Sequence, residues 1–557
     1  MSKLIVHNQD ARDGLLRGVN AVAGAVKITI GPRGRNVVLE KTYGAPTITN
    51  DGVSIAKEIT LKDPIENMGA EIVKEVASKT NEIAGDGTTT SVILTQAIAS
   101  LGMAKAAMGA NSLMIRRGIE KATQEVVSAL RSMAKPIKGK EEIKNVATIS
   151  AESAEIGEII ARTVEKVGPD GVVTVEESQS FGVESDVVQG ISFEKGYVSH
   201  YMLTNTERME AEYKNPYVLV TEKRITSIKE ILPLLEKLAG TGKKELVIIA
   251  EDIDGEALTT FVVNKLRGTF SVLGIKAPGY GDAQHEELED IAITLGATLV
   301  TESAGMSLEQ ADLSVLGSAS RIVATKDKTV IVGGKGKKKD IDKRISQLRG
   351  MLEDAKYKYD KERIQKRIAK LAGGVAVVRV GAPTETEMKY LKLKIEDAVN
   401  ATRAAIEEGI VPGGGVALVK AGLKVQKAMA NAPFMKKAHT SKREAEFAIG
   451  YQALLSALSE PLRQIAINAG RDDGSVVVDR VRSATGDAMG YDANEDTTEE
   501  IPMMVDMLKA GIIDPVKVTR TALENAASAA GILLTTEVAI AEDKKEIKNI
   551  HEHSELG

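Results

Sequence analysis

The sequence has no cysteine and no tryptophan, and only 11 tyrosines and 6 phenylalanines among 557 residues. Without cysteine there is no disulfide, no thiolate zinc site, no iron–sulfur cluster and no thiol nucleophile. Aromatic residues at 3% argue against stacking platforms for sugars or nucleic-acid bases. Charge of one sign is not in excess. The 73 basic and 78 acidic residues leave a net charge of −5, too little to draw the chain to nucleic acid or to an acidic membrane. Long apolar runs are missing as well. Segments such as Leu246 to Ala250 fall far below the about 20 residues that cross a bilayer, and the opening MSKLIVHNQDARDG lacks the apolar stretch of a signal peptide. These absences predict a soluble, cytoplasmic protein with an aliphatic core and neither nucleic acid nor membrane as partner.

What is present is a chain long enough for several domains, with an ordinary 43% of apolar residues. Residues 11 to 133 read as long helices broken by glycine turns, and residues 416 to about 541 return to that texture. Between them, YVLVTE, ELVIIAE and SVLGIKAP alternate with helical stretches over residues 190 to 374, the order of a parallel α/β domain. The charged segment 337 to 374 reads as a helical pair. VGPDGVVTVEES (167 to 178) reads as a hairpin around Pro-Asp-Gly. Because the two ends match and the middle differs, the economical arrangement is nested: an outer helical domain, a small connecting domain and an inserted α/β domain. Paired crossings fall near Pro136 and Gly409, and near Gly190 and Gly373-Gly374.

No Walker A loop is present, and Gly279-Tyr280-Gly281 fails as a dinucleotide fingerprint. His551 and His553 lie in a polar tail and make a poor metal pair. Gly85-Asp86-Gly87-Thr88-Thr89-Thr90 is unusual. Glycines permit a tight turn, the following helix start offers free N–H groups, three hydroxyls add donors, and Asp86 is an oxygen ligand for a hard cation. A magnesium–phosphate site and a simple pair of helix caps both remain open. Thr29-Ile30-Gly31-Pro32-Arg33-Gly34 and Gly413-Gly414-Gly415 are weaker glycine turns. Asn50-Asp51-Gly52, between TIT and VSIA, reads by default as a hairpin turn, and Asp397 reads equally as a surface carboxylate or a base.

Two helical stretches of the middle region are more apolar than one buried face requires. Ile225, Ile228, Ile231, Leu232, Leu234, Leu235 and Leu238 span about 180° of a helical wheel. Ala257, Leu258, Phe261, Val262, Val263 and Leu266 span about 240°, where about 100° suffices. Burial on two sides is the favoured reading; apolar surface offered to a partner is the other.

In order along the chain, LRGVNAVAGAVKITIGPRGRNVVLEKTYGAPTITNDGVSIAKEI, ENMGAEIVKEVASKTNEIAGDGTTTSVIL, KAPGYGD, AKLAGGVAVVRVGAPTETEMK, IEDAVNATRAAIEEGIVPGGGVAL and DPVKVTRTALENAASAAGILLTTE resemble the group I (GroEL-type) chaperonin large-subunit family. The resemblance covers nearly the whole chain. It implies a multi-domain α+β and α/β fold: a mostly helical equatorial ATPase domain (1–133 and 409–541), an intermediate hinge domain (134–189 and 375–408), an α/β apical domain (190–374) and a polar tail (542–557). It further implies ATP, Mg2+ and K+ as cofactors. Thr29, Ile30, Gly31, Pro32, Asn50, Asp86, Gly87, Thr88, Thr89, Thr90, Gly414, Asp492, Ala493, Asn494 and Asp514 match nucleotide-contacting positions. Asp86 would ligate Mg2+, Asp397 would activate water and Asp51 would assist at the terminal phosphate. Tyr197, Tyr201, Met202, Leu232, Leu235, Leu258, Val262 and Val263 match a surface for unfolded polypeptides and a small co-chaperonin lid, on subunits stacked as two heptameric rings.

The sequence departs from that pattern in places. Asn50 stands where most such relatives have lysine, and Met202 where they have an aromatic residue. Segments 425 to 450 and 495 to 511 do not align cleanly, and the tail EDKKEIKNIHEHSELG lacks a Gly-Met repeat. A ring-forming scaffold or holdase with weak or lost hydrolysis, and a small-molecule ATPase or kinase, are the competing readings. Retained Asp86 and Asp397 oppose the first, and the absence of a polar catalytic cluster in the inserted domain opposes the second.

Overall fold

The computed structural model describes residues 2–40, 46–168, 171–206, 208–355, 357–429, 432–495 and 503–542. The tail from 543 on, with His551 and His553, and parts of the two atypical segments (430–431 and 496–502) lie outside the described residues. The chain divides into two compact units. One comprises Met1–Ala161, Glu177–Val183 and Val380–Gly557; the other comprises Arg162–Glu176 and Glu184–Arg379. The expected small connecting domain is thus shared between them. Among the described residues no helix is long and apolar enough to cross a membrane.

In the first unit the long helices form where local signals agree with the apolar period. Helix Pro64–Ala84 starts on Asp63, whose carboxylate accepts from the N–H groups of Ile65 (2.8 Å) and Glu66 (3.0 Å), and carries proline in its first turn. It stops at Gly85, whose φ of 71° lies in the left-handed region. Asn111 caps helix Ser112–Met133 in the same way. The apolar faces of these helices meet those of Asn8–Val26, Thr88–Ala107, Lys442–Ala457 and Val516–Thr535 in one aliphatic core that includes Val19, Leu94, Ile98, Ile119, Leu454 and Leu523. Two helix pairs approach through glycine. A Cβ on Gly118 would lie 2.1 Å from the Phe447 carbonyl oxygen, and one on Gly450 would lie 1.9 Å from that of Ile115. Gly18 and Gly69 make the corresponding contact between helices Asn8–Val26 and Pro64–Ala84. No side chain fits at these crossings.

Strands Lys3–His7 and Val538–Glu542 pair antiparallel, joining the start of the unit to its end. Near Pro136 and Gly409 the two passes of the chain run side by side: the N–H of Lys135 donates to the Ile410 carbonyl and the reverse, at 2.9 and 2.8 Å. VSIA, read by default as the second arm of a hairpin, is helical instead. Asp51 caps helix Gly52–Glu58, accepting from Val53 N, Ser54 N and Ser54 Oγ. A capping carboxylate followed by glycine outweighed the β-branched pattern.

The second unit holds a seven-stranded sheet. Tyr217–Val220, Glu245–Ala250 and Ser271–Lys276 pair in parallel, as the strand–helix alternation predicts. Gly317–Ala324, Thr329–Gly334 and Gly190–Phe193 continue the sheet antiparallel, and Ala211–Lys214 pairs with Gly317–Ala324. The charged segment forms helices Lys338–Asp354 and Lys358–Gly373. Both helices contribute an arginine to buried Asp290: Arg367 donates through Nε (2.7 Å) and Nη2 (3.0 Å), and Arg344 through Nε (2.8 Å). The expected hairpin at 167 to 178 is absent. Ala154–Val167 is a helix, and strand Val172–Glu177 lies in a three-stranded sheet beside Val375–Gly381, which separates it from Gly182–Val188. The alternation that suggested a hairpin reflects one half-buried strand with a distant partner.

Candidate functional site

The site is built at the start of helix Thr88–Ala107. Gly85 and Gly87, with φ of 71° and 79°, turn the chain sharply between two helices, and no side chain caps the second. The first-turn N–H groups at Thr88 to Thr90 are therefore not engaged by a capping side chain and carry the positive end of the helix dipole. Three segments surround this start. Thr29 Oγ1 lies 3.2 Å from Thr89 Oγ1 and is itself anchored on the Val26 carbonyl at 2.9 Å. Gly52 packs so closely that a Cβ there would meet Thr89 Oγ1 at 2.6 Å and Thr88 Oγ1 at 2.9 Å, which places neighbouring Asp51 beside the threonines. Helix Glu385–Glu408 lies against Gly85: a Cβ on that glycine would come within 2.2 Å of Asn400 Cβ. Asp397 is three residues before Asn400, so it shares this face of the helix.

Asp51, Asp86 and Asp397, which are far apart in sequence, thereby form one acidic cluster. Burial pushes the Asp397 carboxyl well above the ordinary aspartate range, and the charges of Asp51 and Asp86 push it further. Asp86 is raised by burial as well, while hydrogen bonds from Gly87 N and from Ser150 Oγ (3.0 Å) favour its ionised form. Asp514 is pushed up to about 7 by burial and by the charge of Asp86. It stands beside the Gly413–Gly415 turn, where a Cβ on Gly413 would lie 3.1 Å from Asp514 Oδ1. Strand Ile410–Pro412 is paired with Ile513–Pro515, which fixes that neighbourhood.

These residues fit a magnesium-bound polyphosphate. Carboxylate oxygens that repel one another are a donor set for a hard cation, and uncapped helix N–H groups beside glycines suit phosphate oxygens. Among the described residues no group of three or more His, Cys, Asp or Glu side chains is placed to hold a metal ion. Magnesium completes its shell with water and phosphate, so one or two carboxylates suffice.

The remaining expected positions fall in two groups. The segment Thr29 to Pro32 is tied to the 465–494 region: Asn468 Nδ2 donates to the carbonyls of Lys27 (3.1 Å) and Ile30 (2.9 Å), Gly31 abuts Ile465, and Arg33 Nη2 donates to the Asn494 carbonyl at 3.2 Å. Asp492, Ala493 and Asn494 thus lie next to the Ile30 to Arg33 turn. The Asp492 carboxylate is engaged within its own segment, accepting from Asn494 N (2.9 Å) and Glu495 N (3.3 Å). Asn50 does not cap a helix; its Nδ2 donates to Glu152 Oε1 at 3.2 Å. Sequence reading passed over Ser150, Glu152, Lys394 and Asn468. Lys394 alone left a signal, lying one helical turn before Asp397.

In the second unit the over-wide stripes divide. Ile225, Ile231, Leu234, Leu238, Ala257 and Phe261 are core, Leu235, Leu258 and Val262 are half-buried, and Leu232, Val263 and Leu266 are exposed. Burial on two sides is therefore not what the stripes reflect: one side of each helix is core and the other leaves apolar surface exposed. Tyr201 is exposed, and its carbonyl and that of Leu203 accept from Lys265 Nζ at 3.3 and 2.7 Å. Tyr197 and Met202 do not join this surface. Met202 is fully buried with its sulfur accepting from Gly274 N, and Tyr197 is nearly so.

Comparison with known proteins agrees with this architecture. Residues 22–544 match the model of the TCP-1/cpn60 chaperonin family. Among solved structures, the chaperonin gp146 from the bacteriophage EL 2 (Pseudomonas aeruginosa), crystallised in the presence of ATP-BeFx, superposes with a TM-score of 0.65 at 23% identity, over 97% of this chain and 100% of that one. With the family model spanning almost all of the sequence, the chain belongs to the TCP-1/cpn60 chaperonin family.

Proposed function

We propose that this chaperonin hydrolyses Mg-ATP at the Thr88 helix start and uses the cycle to capture and enclose non-native polypeptides. The observation that carries the reading is the meeting of Asp51, Asp86 and Asp397 at an uncapped helix N-terminus. The N–H groups and hydroxyls of Thr88 to Thr90 hold phosphate oxygens, and Gly87 and Gly52 let the backbone approach them. Asp86 would hold magnesium, which would offset phosphate charge. Asp397 orients the attacking water and takes up its proton on a carboxylate oxygen, a role suited to an acid whose proton affinity is raised by burial. Asp51, fixed by its own helix cap, holds the water-side geometry. Asp514, near enough to Asp86 to feel its charge, and the adjoining Gly414 would complete the phosphate end, and Asp492 to Asn494 beside the Ile30 to Arg33 turn would meet the base and ribose.

Leu232, Val263 and the exposed edges of Leu235, Leu258 and Val262 form the capture surface, with Tyr201 beside them. A small lid protein and stacked heptameric rings are part of the same reading. The test is direct: purified protein is assayed for magnesium-dependent phosphate release from ATP, and its native mass is measured. A monomer that releases no phosphate overturns the proposal.

A further inference from the structure

We propose that Lys394 supplies a cationic side chain to the nucleotide site in this chain and that Glu152 and Asn50 form the bracket that aims it; this rests on the ATP reading above. Lys394 lies one helical turn before Asp397, on helix Glu385–Glu408. Its Nζ donates to Glu152 Oε1 at 2.6 Å, and the same oxygen accepts from Asn50 Nδ2 at 3.2 Å. The lysine side chain is only 12% exposed, against 44% for Glu152. Glu152 ends helix Lys140–Ala151 in the left-handed region, with φ 54° and ψ 27°, a conformation that a glutamate holds only when its surroundings require it. One carboxylate thus ties the loop bearing Asp51 to the helix bearing Asp397. The Lys394 charge acts on both Asp86 and Asp397, favouring their ionised forms. An exposed ion pair of this kind would contribute little. A recessed lysine beside three carboxylates is instead a counter-charge for the cluster and a donor to an incoming phosphate.

The arrangement places a second side chain on the same acceptor, so position 50 can stand in for position 394. Steady-state ATPase of the full-length protein, with melting curves as a fold control, tests this. K394M is expected to raise KM for Mg-ATP about tenfold with a smaller loss of kcat, the effect of removing a charged hydrogen bond to phosphate. K394R should retain most of the wild-type KM. Adding N50K to K394M should restore it, because the new ammonium reaches Glu152. E152Q alone should raise KM, and adding it to K394M should cost nothing more. An unchanged KM in K394M or in E152Q, or an N50K/K394M protein no better than K394M, overturns the proposal. Should K394M fail to fold, E152Q at its half-exposed position decides. Wild-type protein that turns over no ATP removes the ATPase reading itself, whereas active wild type indifferent to Lys394 removes only this assignment.

Discussion

Asp397 holds its proton far more tightly than an aspartate in water because burial and two neighbouring carboxylates penalise its charge. That same property makes it a competent acceptor for a proton from water. Asp397→Ala should leave ATP binding intact and slow single-turnover hydrolysis by about 100- to 10,000-fold, the range for loss of a general base. Equal rates in the variant and the parent would remove Asp397 from the mechanism. Asp514 gives the pH dependence. Its folded value of about 7 lies above the ordinary 3.8, so its contribution to stability is fully present below the unfolded value and is lost as pH rises through the folded one. The nucleotide-free protein should therefore melt at a higher temperature at pH 5 than at pH 8, and Asp514→Asn should flatten that difference. Of the candidate site, Asp86 to Thr90 stand out in the sequence because their signal is local. Ser150 and Glu152 do not, since a serine and a glutamate acquire their roles only when the fold brings them to Asp86 and Lys394.

At the level of elements, helices were readable wherever caps, stops and period coincided, as for Pro64–Ala84. Misreading came where one local rule competed with another. VSIA has the composition of a strand yet follows a capping aspartate, and the Pro-Asp-Gly run has the look of a turn between strands yet follows a helix. The glycine crossings were invisible, because one glycine in a helical pattern reads only as a weak position. Gly450→Ala puts a methyl group 1.9 Å from the Ile115 carbonyl and should destabilise the first unit by about 1–3 kcal/mol, read from denaturant midpoints. Unchanged stability would mean that the two helices can slide apart freely. In the second unit, replacing Leu235 and Val263 with serine should weaken binding of an unfolded test protein while ATPase activity and melting stay near the parent values. Loss of solubility instead would show that the half-buried Leu235 belongs to the core.

For the molecule as a whole, the nested order was legible from the matching texture of the two ends, and the structure groups residues from both ends in one unit. The parallel half of the large sheet followed from the strand–helix alternation. Its antiparallel half did not, since strand pairing between distant segments leaves no local trace. The connecting segments are divided between the two compact units. A ring of two stacked heptamers predicts a native mass near fourteen times 59.3 kDa, which native mass spectrometry reads directly.

The pairing of Lys3–His7 with Val538–Glu542 carries a further consequence for how each copy is made. Synthesis is vectorial, so all of Glu184–Arg379 leaves the ribosome while the first unit still lacks helix Val516–Thr535 and its closing strand. The inserted unit is free to fold during translation, whereas the first unit must hold its opening helices in waiting until the last segment arrives. Stalled nascent chains ending near residue 450 should resist protease across Glu184–Arg379 and remain cleavable between residues 8 and 133. For most of its own synthesis, each copy carries aliphatic surface that only its last segment will cover.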